Sequence, residues 1–233
     1  MDSKSKMTVI SFAVSLAILA LLLQSIYMAV GFIVLLFVHE MGHYIAAKHK
    51  GLKVSPPVFM GPMGAFINME EQPANARVEA YMAFAGPLAG TIGSIIATIV
   101  GLKLGSPQLL QVAQWSFWLN LFNLIPLAPL DGGRVSMAID RRMWVLGVPL
   151  LAYVIFTMPL GGFGIIVVFL IATNAWRDIQ MRKMMAEQYP SYFDVGFNTR
   201  VGYAAAYLAL AAFLFWVVNV PGGLAHLLAS LGL

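Results

Sequence analysis

The chain has 233 residues, 60% of them hydrophobic and only 10% charged, with a formal net charge of +4 and no cysteine. Its mean hydropathy is +0.82 and its pI is about 9.4. Soluble domains carry about 25% charged residues, so the composition excludes an ordinary soluble globular protein. The absence of cysteine excludes a disulfide framework and any thiolate metal site.

The apolar blocks are continuous rather than alternating, which predicts membrane helices and not barrel strands. The first span is expected over residues 7–23. No small-residue cleavage pattern follows it, so it reads as a retained helix; an uncleaved signal-anchor fits the same features. Gln24 and Ser25 form a break, and residues 26–48 make the second span. Residues 51–77 are polar and rich in glycine and proline, which forbids a long helix there. Within them "KVSPPVF" and "GAFINM" each fit a short strand. The third span is expected over 78–102 and the fourth over 107–125, the latter ended by Pro126 and Pro129. A short amphipathic helix is expected at about 134–142. Residues 143–158 and 163–176 flank "PLGG" and read as two short spans around a turn, one long broken helix being the alternative. The last span is expected over 201–218, with the tail after Pro221 at the interface.

With a turn at "PLGG" the chain crosses seven times, and every lysine and arginine except Lys103 falls on one side. Positive residues favour the cytoplasm. The amino terminus, the end of the second span and the loop after the fourth are therefore expected in the cytosol, in a multi-pass protein of the cell membrane. A basic rim beside anionic lipid explains the positive charge, and no nucleic acid is needed.

The second span ends in "FVHEMGHYIAAKH". His39 and His43 are four apart, so on a helix both rings project from one face, the spacing two imidazoles need to hold one zinc ion. Glu40 sits beside them, where a carboxylate can take a proton from the attacking water. A lone His-Glu-x-x-His is a weak signal. Here it lies within a span, where ionisable groups are expensive and mark function. Gly42 weakens the helix and leaves room for a close backbone neighbour. A catalytic zinc has three protein ligands and an open position, and Asp131 in "NLIPLAPLDGG" is the candidate third. Gly132 and Gly133 allow unusual backbone angles beside it, and irregular backbone at membrane depth is tolerated where it lines a cavity. The alternative makes Asp131 a turn residue or the start of the helix at Arg134. The strand-like stretch 57–69 offers an edge on which an unwound substrate could pair, with a plain connecting loop as the alternative.

Three motifs in order, "HEMGH", "FAGPLAG" at 84–90 and "NLIPLAPLDGG" at 123–133, resemble the site-2 protease family of intramembrane zinc metalloproteases. The resemblance covers about residues 26–142. It implies an all-α polytopic membrane protein of six to seven transmembrane helices, with a three-helix catalytic core and a short membrane-associated β/loop region after the second helix. The whole chain, 1–233, is then one membrane-embedded metalloprotease domain, without a PDZ or CBS module. His39, His43 and Asp131 are implied to bind one catalytic Zn2+, Glu40 to be catalytic, and Asn123 to hold substrate or the developing oxyanion. A helix–helix hydrogen bond is the other reading of Asn123. Gly90 stands where the commoner family form has Asn; small residues for close helix packing account for this motif. The implied substrate is a membrane-anchored protein with a transmembrane segment, the implied setting a prokaryotic plasma membrane with the active site towards the cytosol, and a regulatory membrane partner is a further expectation. The rival classes are a metal-ion transporter using the same histidines and aspartate, a non-proteolytic membrane scaffold, and a hydrolase acting on lipids.

Overall fold

The computed structural model describes residues 3–60, 65–67, 69–157, 161–220 and 222–230. The order is α1 (Ser3–Leu23), α2 (Ile26–His49), β1 (Val58–Phe59), β2 (Ala65–Phe66), α3 (Ala76–Lys103), α4 (Pro107–Asn123), α5 (Asp131–Ile139), α6 (Trp144–Thr157), α7 (Gly161–Gln188), α8 (Phe197–Asn219) and α9 (Gly223–Ser230). Single 3-10 turns follow α5 at Arg141–Met143 and α7 at Pro190–Phe193. The protein is an all-α polytopic membrane protein. Among the described residues, Lys6–Leu23, Ile26–His49, Ala76–Lys103 and Phe197–Asn219 are long and apolar enough to cross a membrane. Helices α4, with 17 residues, and α6, with 14, are shorter than the about 20 residues a span needs.

Local chemistry explains the boundaries. Gln24 takes a left-handed φ of 51°, and Ser25 then caps α2 by accepting from the backbone N–H of Met28 at 3.3 Å. Gly51, at φ 76°, stops α2. The Asn75 side chain accepts from the Val78 N–H at 3.0 Å and starts α3. The strands expected in "KVSPPVF" and "GAFINM" are present as a hairpin, with Val58 opposite Phe66, Phe59 opposite Ala65 and an outer bridge from Val54 to Met69. The "PLGG" turn falls partly on residues 158–160, which lie outside the described residues. Helix α6 ends at Thr157, and α7 begins at Gly161 and runs beyond Trp176 to Gln188. The helix expected at 134–142 begins three residues earlier, at Asp131, and stops at Asp140, whose φ of −153° and ψ of 130° leave the helical region.

The chain divides into two compact units whose segments alternate along the sequence. The first comprises Met1–Gln72, Ala85–Leu121 and Leu210–Leu233. In it α1 lies on α2 and on the hairpin, through a core of Leu19, Ala29, Ile33, Leu36 and Phe59. Phe12 meets Phe59 edge-on with centroids 5.3 Å apart, and the Phe59 N–H donates to Ser11 Oγ at 3.1 Å. A second cluster of Leu35, Ala97, Val112 and Ala113 joins α2, α3 and α4. These contacts hold the middle of α2, up to about one turn before His39, against the neighbouring elements.

The second unit comprises Pro73–Phe84 and Phe122–Ala209. Ala76, Ala80, Met137, Ala138, Phe193 and Val195 form one of its cores, and Ile125, Leu127, Leu130, Leu151, Ile171 and Ala175 another. A polar tie joins distant segments: Arg182 Nη2 donates to Glu79 at 3.0 Å and its Nε to Asp178, while the Tyr192 hydroxyl donates to Glu79 at 2.9 Å. Burial acts to lower the Arg182 pKa, but Glu79 and Asp178 outweigh it and hold the guanidinium charged. Burial, followed by the Glu79 carboxylate, pushes the Tyr192 hydroxyl above its usual range. Arg200 clamps the carbonyls of Val195 and Ile139, each at 2.8 Å.

Candidate metal centre

His39 and His43 lie on the same face of α2, as their spacing requires. His39 and Glu40 are buried, 3% and 6% exposed, and His43 is half-buried. The two Nε2 atoms are 3.1 Å apart, and the rings are inclined at 77° with centroids 4.9 Å apart. Two imidazoles bound to one tetrahedral zinc at about 2.0–2.1 Å hold their nitrogens about 3.3 Å apart, so the pair is spaced to share a cation.

Glycines make that arrangement possible. A Cβ on Gly42 would lie 2.3 Å from the carbonyl oxygen of Ala85, so the backbones of α2 and α3 approach closely at the motif. This is the close neighbour expected of Gly42. A Cβ on Gly86 would fall 2.2 Å from His43 Nε2, and one on Gly90 would fall 2.3 Å from Asn120 Oδ1. The "AGPLAG" stretch therefore serves close packing, with the histidine ring and an amide filling the space its glycines leave.

That amide is Asn120 on α4, wholly buried. Its Oδ1 lies 2.8 Å from His39 Nδ1, and its Nδ2 donates to the Ser116 carbonyl at 2.7 Å. The Ser116 and Ser94 hydroxyls are 2.7 Å apart, and Ser94 donates to the Gly90 carbonyl at 2.7 Å. The sequence analysis did not single out Asn120; the amide it named, Asn123, three residues on, was implied by the family resemblance in a different role, at the substrate. Asn123 is the last residue of α4 and is half-buried. The available signal was a second amide in the same span, which needs a partner as much as Asn123 does.

Asp131 is the first residue of α5 and is buried, with 8% exposure. A carboxylate there is favoured by the positive end of the helix dipole. The strap before it, 124–130, turns tightly on itself, with the Leu130 N–H donating to the Leu127 carbonyl at 3.0 Å. The Tyr207 hydroxyl donates to the Leu124 carbonyl. Gly132 and Gly133 do not supply unusual backbone angles, as neither has a positive φ. They are helical, and their role is steric. A Cβ on Gly132 would lie 2.2 Å from the Leu124 oxygen, and one on Gly133 2.4 Å from the Ala128 nitrogen. Removing those methyl groups is what lets the strap fold over the start of α5.

His39 and His43 offer two imidazoles to one cation in the first unit, and Asp131 presents a carboxylate at the start of α5 in the second. Two imidazoles and one carboxylate match the donor set of a catalytic zinc with one position left open. A helical membrane protein with a histidine pair so spaced, and a buried glutamate beside it, has the features of a membrane metalloprotein.

The comparisons with known proteins narrow that class. Residues 27–111 match Peptidase family M50. The zinc metalloprotease MJ0392 of Methanocaldococcus jannaschii is 35% identical over 146 residues, 59% of this chain and 42% of that protein. The chain therefore matches less than half the length of that curated relative. The solved site-2 protease from the same organism is 26% identical, covers 74% of this chain and 88% of its own, and gives a TM-score of 0.49. Residues 27–111 are thus similar to peptidase family M50, in keeping with the family resemblance of the motifs.

Proposed function

We propose that the chain is a zinc-dependent membrane endopeptidase that cleaves a membrane-anchored protein within or near its transmembrane segment. The observation that carries this reading is the His39–His43 pair, with Nε2 atoms 3.1 Å apart and Glu40 buried beside them. His39, His43 and Asp131 hold a single zinc. When bound, the ion acidifies water and polarises the scissile carbonyl. Glu40 takes the proton of the attacking water and passes it to the leaving amine. Asn123 contacts the substrate beside the site.

A transmembrane helix hides its carbonyls in its own hydrogen bonds, so the substrate must unwind before it is cut. The extended segment pairs with a strand of the hairpin formed by Val58–Phe59 and Ala65–Phe66. The asymmetry of lysine and arginine supports a cytosolic amino terminus and a site opening towards the cytosol.

The test is Glu40→Gln in the full chain, with zinc content and cleavage of a membrane-anchored reporter measured together. Retained zinc with cleavage lost by 100-fold or more, on the order expected for a general base, supports the proposal. Unchanged cleavage refutes it. Zinc flux into vesicles that survives the substitution favours the transporter instead.

A further inference from the structure

We infer that Asn120 is a positioning residue for the metal centre, fixing the tautomer and ring plane of His39 so that Nε2 faces the cation as a lone pair. The inference rests on His39 and His43 being metal ligands.

Nδ2 of Asn120 donates to the Ser116 carbonyl at 2.7 Å, which can only accept. The amide is thereby oriented, and its oxygen is the atom 2.8 Å from His39 Nδ1. An amide oxygen accepts and does not donate, so Nδ1 carries the hydrogen. A neutral imidazole protonated at Nδ1 has its lone pair at Nε2, the atom that faces His43 across 3.1 Å. The orienting carbonyl belongs to the turn of α4 that carries Asn120, so amide and anchor move as one. The amide is wholly buried, and Gly90 on α3 clears its volume. Water therefore does not compete for the His39 N–H. Outer partners of this kind raise the basicity of a ligating histidine and hold its ring, and losing one weakens metal binding about 10–100-fold.

A merely structural amide, tying α4 to α2, predicts something different, and three measurements on the full chain in detergent separate the two. Zinc affinity is read by competition with a chromophoric chelator for the native chain, Asn120→Ala and Asn120→Asp. Asn120→Ala is expected to bind zinc about 10–100-fold more weakly, whereas Asn120→Asp, whose carboxylate accepts the same N–H, stays within about threefold of the native chain. Thermal unfolding of the zinc-free variants reports the structural contribution separately. The nitrogen chemical shifts of His39 in the zinc-free native chain need no variant, and are expected to show hydrogen on Nδ1. Native affinity in Asn120→Ala, an equal loss in both variants, or hydrogen predominantly on Nε2 overturns the assignment. A native chain that binds no zinc refutes the metal reading itself, and that result is distinct from all of these.

Discussion

Replacing Gly86 by alanine adds one methyl group and tests how tightly α3 sets the position of His43. The new Cβ would stand 2.2 Å from Nε2, whereas ordinary contact begins at 3.4 Å. Either the ring retreats by about 1.2 Å or the helices part by a comparable amount. Metal–nitrogen distances are held to about 0.2 Å, so a retreat of the ring takes Nε2 far outside coordination range. The Cβ meets the tip of a side chain and not backbone, so the ring rather than the helix gives way. Zinc affinity is expected to fall at least 100-fold, the order seen when a metal site loses correct support. Unfolding of the zinc-free protein should shift by no more than about 1 kcal/mol, the low end for an overpacked methyl. Chelator competition reads the first quantity and thermal denaturation the second. A Gly86→Ala protein that binds zinc within threefold of the native chain would refute the claim that this glycine sets the ring.

Gly42→Ala should reverse the pattern. Its Cβ meets the backbone oxygen of Ala85 at 2.3 Å, which no rotamer change relieves, so a loss of about 1–3 kcal/mol or more in the stability of the zinc-free protein is expected; unaltered unfolding would deny the close approach. Asp131→Ala should lower the zinc content of the purified chain, and undiminished zinc would mean that the third ligand lies elsewhere. Glu79→Ala should destabilise the protein by about 2–3 kcal/mol, because it strips the 14%-exposed Arg182 of one of its two carboxylates. Glu71→Ala, at the Lys53 pair whose side chains are 73% and 46% exposed, should change stability by less than about 1 kcal/mol. The Tyr192 hydroxyl has a folded pKa above its ordinary 10.0, so above about pH 10 the unfolded chain gives up this proton first and stability falls as pH rises. Tyr192→Phe should flatten part of that alkaline loss; an unchanged pH profile would show that burial and Glu79 do not hold this proton in the folded chain.

What could be read from the sequence was whatever a short window of residues expresses. The span of α2, its break at Gln24 and Ser25, the hairpin after it and the shared face of His39 and His43 follow from apolar length, local capping and helical period. The steric purpose of Gly42 was also legible, because a glycine inside a helix weakens it and calls for a reason. The polarity of Asp131 within an apolar, proline-interrupted stretch marked it as unusual. The tertiary structure decided matters that depend on which residues meet across helices. It set the Asn120 amide against His39, a contact that no reading of the sequence offered. It gave Gly132 and Gly133 a steric role, since the carbonyl and nitrogen that they accommodate belong to a strap whose path no local pattern records. It tied Arg182 and Tyr192 to Glu79, more than a hundred residues earlier in the chain. Period and polarity are properties of neighbours in sequence, whereas an amide's partner and a glycine's necessity are set by the atoms that packing brings within a few ångströms.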